Sequence, residues 1–301
     1  MVSKSGYLYK EEDSRLDKFS GPIIFTRLNK FSEWYTQLSS VLTYKISKHH
    51  LLKSGVYTKD ISFDLNQREA VSNVLKDKIK NNGSTLLTNY FLLWKWDASN
   101  RFSFQLGAHG QYLALNKTKA LQPRFGLRYQ VDNGQYLSVG FGSHSQIQPM
   151  GNYFARVKIG NDTVMPNKML EFSKSNHYVI GYSMQLAKDW NLKSELYYQW
   201  LYNIPIHALK ASNYSVINLD DDYSIETLAN KGFGRNYGLE LTLDRYWNDR
   251  FYLLGTLSLY QSEYKPSDLL WRSTRYNSNS SFTLLTGKEW LLKTKKPSYV
   301  G

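Results

Sequence analysis

His49 and His50 stand side by side between two alternating runs, and imidazoles are common metal ligands. Adjacent residues in a tight turn need a third ligand, and none is evident, so a solvated turn is the favoured reading. Asp220-Asp221-Asp222 presents the carboxylate oxygens that calcium takes, without the spaced ligands and glycine of an EF-hand loop. Glu195 and Glu240 are the residue types of a carboxylate pair, but both fall on the polar side of alternating segments. The polarity of an interior wall accounts for them better than catalysis. Gly142-Ser143-His144-Ser145 brings hydroxyls near an imidazole, with no nucleophile elbow and no acid to orient the ring. Lys231-Gly232-Phe233-Gly234-Arg235 is glycine-rich but precedes a strand pattern, so it is no phosphate loop. Cysteine is absent, which removes disulfides, thiolate metal sites and thiol nucleophiles together. The expectation is a protein that is not an enzyme, with no metal and no cofactor.

The elements that would position these groups are strands. In residues 236–262, Leu239, Leu241 and Leu243 alternate with Glu240, Thr242 and Asp244. After Trp247-Asn248-Asp249 the pattern resumes, with Phe251, Leu253, Leu257 and Leu259 against Tyr252, Thr256, Ser258 and Tyr260. One face is greasy and the other polar. Similar pairs recur at Trp34–Ser47 with Leu51–Phe63, Leu86–Trp96 with Phe102–Leu113, Pro123–Val131 with Gln135–Ser143, and His177–Ala187 with Leu192–Tyr202. Asn277–Trp290 begins a sixth pair, giving about eleven strands. The turn Asp132-Asn133-Gly134 carries a strong hairpin signal.

Connections within pairs are short. Those between pairs are long at Asp64–Thr85, Gln146–Asn176 and Asn203–Arg235, and intermediate at Ala114–Gln122 and Lys265–Tyr276. Short turns at one rim and long loops at the other belong to an up-and-down transmembrane barrel. Length agrees: a strand of about 12 residues at ~3.3 Å each, tilted by ~40°, reaches about 30 Å in height. Lipid covers the greasy face, and the polar face lines a lumen. Trp190 and Trp247 in the tight turns, with Trp94 and Trp96 at a strand end, suit an aromatic girdle.

Bulk properties fit. The chain has 301 residues, of which 15% are aromatic, and mean hydropathy is −0.50. No run approaches the ~18 apolar residues of a membrane helix, so a helical membrane protein is excluded. Lys and Arg exceed Asp and Glu by 38 to 25, but the cations are scattered, as on a solvated surface. The start, MVSKSGYLYKEED, lacks the apolar core of a signal peptide, and the end, KTKKPSYVG, reads as a turn. Both ends read as cut from something longer.

At this point a resemblance adds to the reading. The run from Asn230 to Trp290 resembles the C-terminal half of TonB-dependent outer-membrane receptor barrels. It is nearest the branch that carries a carboxypeptidase-regulatory-like domain before the plug. ALQPRFGLRYQVDNGQYLSVGFGSHSQIQP (residues 120–149) and SELYYQWLYNIPI (residues 194–206) are similar to other segments of such barrels. The resemblance implies a 22-stranded barrel in the outer membrane of a Gram-negative bacterium, plugged by an N-terminal globular domain. It implies import of a scarce ligand of siderophore, vitamin, glycan or peptide class. It also implies partners: outer-membrane lipid, the TonB-ExbB-ExbD energy-transducing complex and a surface lipoprotein. The plug and the TonB-contacting segment have no counterpart in this sequence, and the terminal aromatic residue of such barrels is missing. The expectation is an all-β, antiparallel, partial barrel over residues 1–301, roughly half of the whole, with no plug domain and no signal peptide.

Two alternatives stand beside this reading, a passive outer-membrane channel and a soluble basic β-sheet protein that binds nucleic acid. Against the second, aromatic and basic residues are not interleaved on one short-stranded face, so no nucleic-acid partner is expected. Any ligand contacts belong in the long loops and on the lumen wall nearby. Asn152, Tyr153, Arg156, Tyr214, Tyr223, Trp271 and Arg272 are the amide, aromatic and basic groups nominated there.

Overall fold

Alternation makes strands here because each residue has a fixed choice between two solvents. The computed structural model describes residues 2–16, 24–72, 74–159, 161–209, 211–219, 223–248, 250–292 and 298–300. Seven strands come first: β1 (Val2–Leu16), β2 (Ile24–Lys45), β3 (His50–Val71), β4 (Val74–Asp97), β5 (Phe102–Leu113), β6 (Thr118–Asp132) and β7 (Gln135–Gln146). A one-turn helix, α1 (Met150–Tyr153), and a short ribbon of β8 (Val157–Ile159) with β9 (Asp162–Val164) follow. Then come β10 (Ser173–Ala187), β11 (Trp190–His207), β12 (Leu228–Asn248), β13 (Phe251–Lys265), β14 (Arg272–Ser273) and β15 (Ser280–Lys288). A small ribbon, β16 (Trp290–Leu292) with β17 (Ser298–Val300), ends the chain. No helix among the described residues is long and apolar enough to cross a membrane.

The long strands form one antiparallel sheet in sequence order from β1 through β7, then β10 to β13, with β14 and β15 both beside β13. That is the up-and-down order the hairpin pattern predicts. The sheet is not closed into a ring by any pairing among the described residues. All eleven expected strands are present, and β1 adds another, paired along its length with β2. Tight turns need unusual backbone: Gly134 has φ of 71°, in the left-handed region that glycine enters without steric cost.

One expected loop is not a loop. Across Asp64–Thr85, β3 runs on to Val71 and β4 starts at Val74. The strands therefore continue beyond the membrane zone, and their greasy side changes over. Lower on β3, Leu52 and Val56 point outward, while Lys53 and Tyr57 point into the lumen. Higher up, Ile61, Phe63 and Leu65 point inward and are buried, while Asp60, Ser62 and Asp64 point outward. Two neighbouring loops are shorter than expected for a related reason. β11 extends to His207 and β12 begins at Leu228, while β6 begins at Thr118.

The buried core lies at this upper end. Phe31, Ile61, Phe63, Leu65 and Ile79 from the inner face of β2–β4 pack with Met150, Tyr153, Phe154, Leu170, Phe172 and Tyr223 from the long loops. Below it the outer face is apolar and bare. Leu92, Leu106, Ile180, Leu196 and Leu259 are all exposed.

Aromatic rings bound that bare zone at two heights. At the tight-turn rim Trp94 stacks parallel to Trp96, with ring centres 5.9 Å apart, and Phe102 stacks on Tyr129 at 4.5 Å. At the upper rim Phe141, Tyr178, Tyr198 and Tyr237 form a ladder across four strands, with spacings of 5.2, 6.5 and 6.4 Å. From Trp247 to Tyr237 the chain climbs ten residues. At ~3.3 Å per residue and ~40° of tilt this is about 25 Å, the height of a barrel's lipid-facing band.

Candidate functional site: a lumen belt under a loop roof

The inward-facing residues form hydrogen-bonded clusters at about the level of the upper aromatic row. On β3 and β5, the Tyr57 hydroxyl lies 3.1 Å from His109 Nε2. Gln111 Nε2 donates to Asn89 Oδ1 at 2.8 Å, and Gln111 Oε1 accepts from Ser145 Oγ at 2.6 Å. Ser145 in turn accepts from Gln122 Nε2 at 2.7 Å. Farther round, Arg124 Nη2 reaches His144 Nδ1 at 3.5 Å, and the His144 and His177 rings lie 4.5 Å apart. Gln199 Nε2 meets His177 Nδ1 at 3.1 Å, and Asn236 Nδ2 donates to Gln199 Oε1 at 2.9 Å. His177 Nδ1 is thus the acceptor, so Nε2 carries the hydrogen donated to Ser175 Oγ at 2.9 Å.

Two recesses open on this wall. The larger, about 850 Å³, lies near the tight turns and is lined by Lys48, Lys95, Arg101 and Arg128 with Asp97. The smaller, about 530 Å³, is lined by His177, Glu195, Tyr197, Gln199, Glu240 and Tyr260. The β2–β7 side of the lumen is therefore basic, and the β11–β12 side carries carboxylates.

Above the belt, the long loops fold inward as a roof. Ala155 bridges to Ile79 of β4, and Arg156 donates from its backbone N to Lys78 O at 2.8 Å and from Nη2 to Lys80 O at 2.9 Å. Asn152 Oδ1 accepts from the Ser224 backbone N at 2.5 Å, tying α1 to the β11–β12 loop. The Tyr223 hydroxyl donates to Glu33 Oε1 of β2 at 2.8 Å, and its ring meets Phe31 edge-on at 4.6 Å. Tyr214 donates to Ser224 Oγ at 2.5 Å. Tyr153 is completely buried, and that burial pushes its phenol up to about 12.

Of the seven nominated residues, the structure brings Asn152, Tyr153, Tyr214 and Tyr223 together as members of the roof. Arg156 holds the same loop to β4. Trp271 and Arg272 stand apart: Trp271 meets Trp200 and Arg235, and Arg272 pairs with Asp268 at 2.6 Å. That bond keeps the Asp268 carboxyl below its ordinary range.

The other groups singled out by type do not assemble. His50 stacks on Trp94 and Trp96, whereas His49 lines the larger recess. Glu195 and Glu240 face each other directly across β11 and β12, with Lys193 Nζ 2.6 Å from Glu195. Ser145 bonds to amides and not to His144. Gly232 lies against Ile206 of the paired strand β11, and Gly234 against Ile217 of the β11–β12 loop. Asp220-Asp221-Asp222 lies outside the described residues. Among the described residues no three His, Asp or Glu side chains gather as a metal site.

The belt was missed because its members are spread over eight strands. Histidines at lumen-facing parity on β5, β7 and β10 were its one visible signal.

A tilted antiparallel wall with a bare apolar exterior, ringed by aromatics and wet inside, is an outer-membrane β-barrel wall. The chain belongs to the TonB-dependent receptor-like β-barrel family, whose model matches residues 3–293. Members of this family lie in the outer membrane of Gram-negative bacteria. No curated protein matches the chain in sequence.

Three solved structures are similar in fold. The FrpB iron transporter from Neisseria meningitidis, in its apoprotein form, superposes with a TM-score of 0.60 at 10% identity, over 88% of this chain and 42% of that one. The siderophore receptor PirA from Pseudomonas aeruginosa gives 0.58 at 10% identity, over 95% and 49%. The RagAB peptide transporter gives 0.54 at 11% identity, over 89% and 32%. This chain thus spans less than half the length of each.

Proposed function

We propose that this chain supplies part of the barrel of a receptor that imports a scarce ligand across the outer membrane. The observation that carries this reading is the succession of hydrogen-bonded clusters on the lumen face, from Tyr57 to Asn236, beneath an inward-folded roof. A wall made only to seal would need no connected donors and acceptors facing the lumen, nor loops spent on covering it. The similar folds named for iron, siderophore and peptide transport support the same general activity, and they span different ligand classes. Energy would come from a TonB-type complex acting on the remainder of the receptor, and a surface lipoprotein is a further expected partner.

Within this reading Asn152, Tyr153 and Tyr223 set the shape of the roof. Tyr214, Arg156 and Arg272, each partly exposed, are the proposed contacts at the entrance. Arg124, His144 and His177 are the proposed contacts inside.

The test is genetic and uses the whole receptor in its own host. A deletion strain is grown with iron, vitamin, glycan or peptide as the single limiting nutrient. The expected result is a defect on one nutrient, reproduced by an R124A/H144A/H177A variant at normal surface abundance. A variant that restores full growth where the deletion fails would remove the belt from the transport path. A passive channel predicts instead that growth is indifferent to loss of the energy-transducing complex.

A further inference from the structure

One stretch of the lumen wall is greasy where its surroundings are wet. A crevice of about 330 Å³ lies between the upper ends of β7, β10 and β11 and the loop segments 146–152 and 216–219. Its apolar side is made by Ile147, Leu201, Ile204, Val216, Ile217 and Leu219. Leu201 shares the inward parity of Tyr197 and Gln199, so the crevice opens to the lumen. Ile204 is buried, and the other five are half-buried. A second recess of about 170 Å³ continues it toward the belt, since the two share Gln146, Ser173, Leu201 and Ile204. That recess ends on His144, Ser145 and Ser175.

The greasy side is held in place. Ser215 bridges to Ile206 of β11 and its hydroxyl accepts from the Ile217 backbone N, while Asn218 Oδ1 accepts from the Arg275 backbone N at 2.7 Å. Gly234 of β12 lets Ile217 lie close against the wall, where a β-carbon would stand 3.1 Å from its Cδ1. At the polar end a cation waits. Arg124 is exposed, its Nη2 reaches His144 Nδ1 at 3.5 Å, and no carboxylate among the described residues pairs with it.

The lining selects a chemistry. Aromatic residues are 15% of the chain, yet among the described residues no Phe, Tyr or Trp lines either recess. Sugars and flat aromatic ligands gain contact by lying on rings, so this surface suits neither. Aliphatic walls take a hydrocarbon chain, because burying it is favourable in proportion to area and needs no set direction. Guanidinium, imidazole and hydroxyl groups at one end suit an anion such as a carboxylate. We infer that the crevice binds an acylated anion, its hydrocarbon chain along Leu201, Ile204 and Ile217 and its charged head at Arg124 and His144. The inference rests on the import reading above, and it names the class of ligand that this wall accepts.

The test uses the whole receptor purified from its own outer membrane and placed in phospholipid nanodiscs. Butanoate, hexanoate and octanoate are the probes, measured by equilibrium dialysis against empty nanodiscs. Affinity is expected to rise about fourfold per methylene, and I217N is expected to flatten that rise. The variant also separates the crevice from the outer wall, which any alkyl chain can touch. Octanoate is expected to bind about tenfold more tightly than octanamide, a difference that R124A removes. Equal binding of butanoate and octanoate, an unaltered series in I217N, or octanamide matching octanoate would each overturn the inference. So would a receptor that binds trileucine and ignores octanoate. Binding needs no energy-transducing complex, so its failure is read separately from failure of the growth test.

Discussion

Leu196 separates a membrane wall from a soluble sheet in one substitution. Its side chain is 57% exposed, and on a water-facing sheet an exposed leucine can become arginine with a change within about 0.5 kcal/mol. On this wall the same residue lies near the middle of the apolar band. It stands six residues above Trp190 and pairs with Leu239. At ~3.3 Å per residue and ~40° of tilt, that is about 15 Å up a band of ~25 Å. Arginine near the midplane costs about 2–4 kcal/mol.

Leu196→Arg is therefore expected to lower the unfolding free energy of the receptor in phospholipid vesicles by about that amount, read from urea titration of tryptophan fluorescence. Thr256, which faces the lumen one hairpin away, is the control. Thr256→Arg meets water and is expected to shift stability by less than about 1 kcal/mol. Equal costs for the two variants, or no cost for Leu196→Arg, would refute the assignment of faces.

Two further outcomes concern the roof. Tyr223→Phe keeps the ring against Phe31 but removes the hydrogen bond to Glu33, and should cost about 1.5–3 kcal/mol of local stability. Faster amide exchange across residues 147–172 and 223–228, with β13 unchanged, is the expected signature. Alkaline pH acts on the same core through Tyr153. Its phenol is raised from 10.0 to about 12, so the folded roof holds a proton that the unfolded one releases. That contribution is complete below pH 10 and disappears as pH climbs toward 12. The urea concentration needed to open the roof should fall across that window, and Tyr153→Phe should lessen the fall.

The membrane-spanning part of the fold was legible because lipid and water enforce opposite faces for a dozen residues at a time. Leu239, Leu241 and Leu243 read correctly for that reason. Legibility failed where the surroundings changed. Residues 64–85 read as a loop because Asn66-Gln67-Arg68-Glu69 and Lys76-Asp77-Lys78 carry charge and amide on both faces of strands that stand clear of the lipid, so the periodic signal fades without any break in pairing. Val2–Leu16 was missed because Lys10-Glu11-Glu12-Asp13 hides alternation in a segment that pairs only with β2.

Site residues followed the same division. Asn152 and Tyr223 were singled out for their chemical type, and the structure uses that chemistry to join loops. The belt members were each unremarkable alone, since the contact between His144 and His177 depends on the pairing of β7 with β10.

The changeover on β3 has a consequence for depth. Shift that strand by one position and the lysine at 53 enters hydrocarbon while the phenylalanine at 63 enters water. Either error alone is unfavourable, and the two arrive together. The segment thus works as a depth gauge: it fixes how far the wall stands out of the bilayer, and so how high the loop roof is held above it.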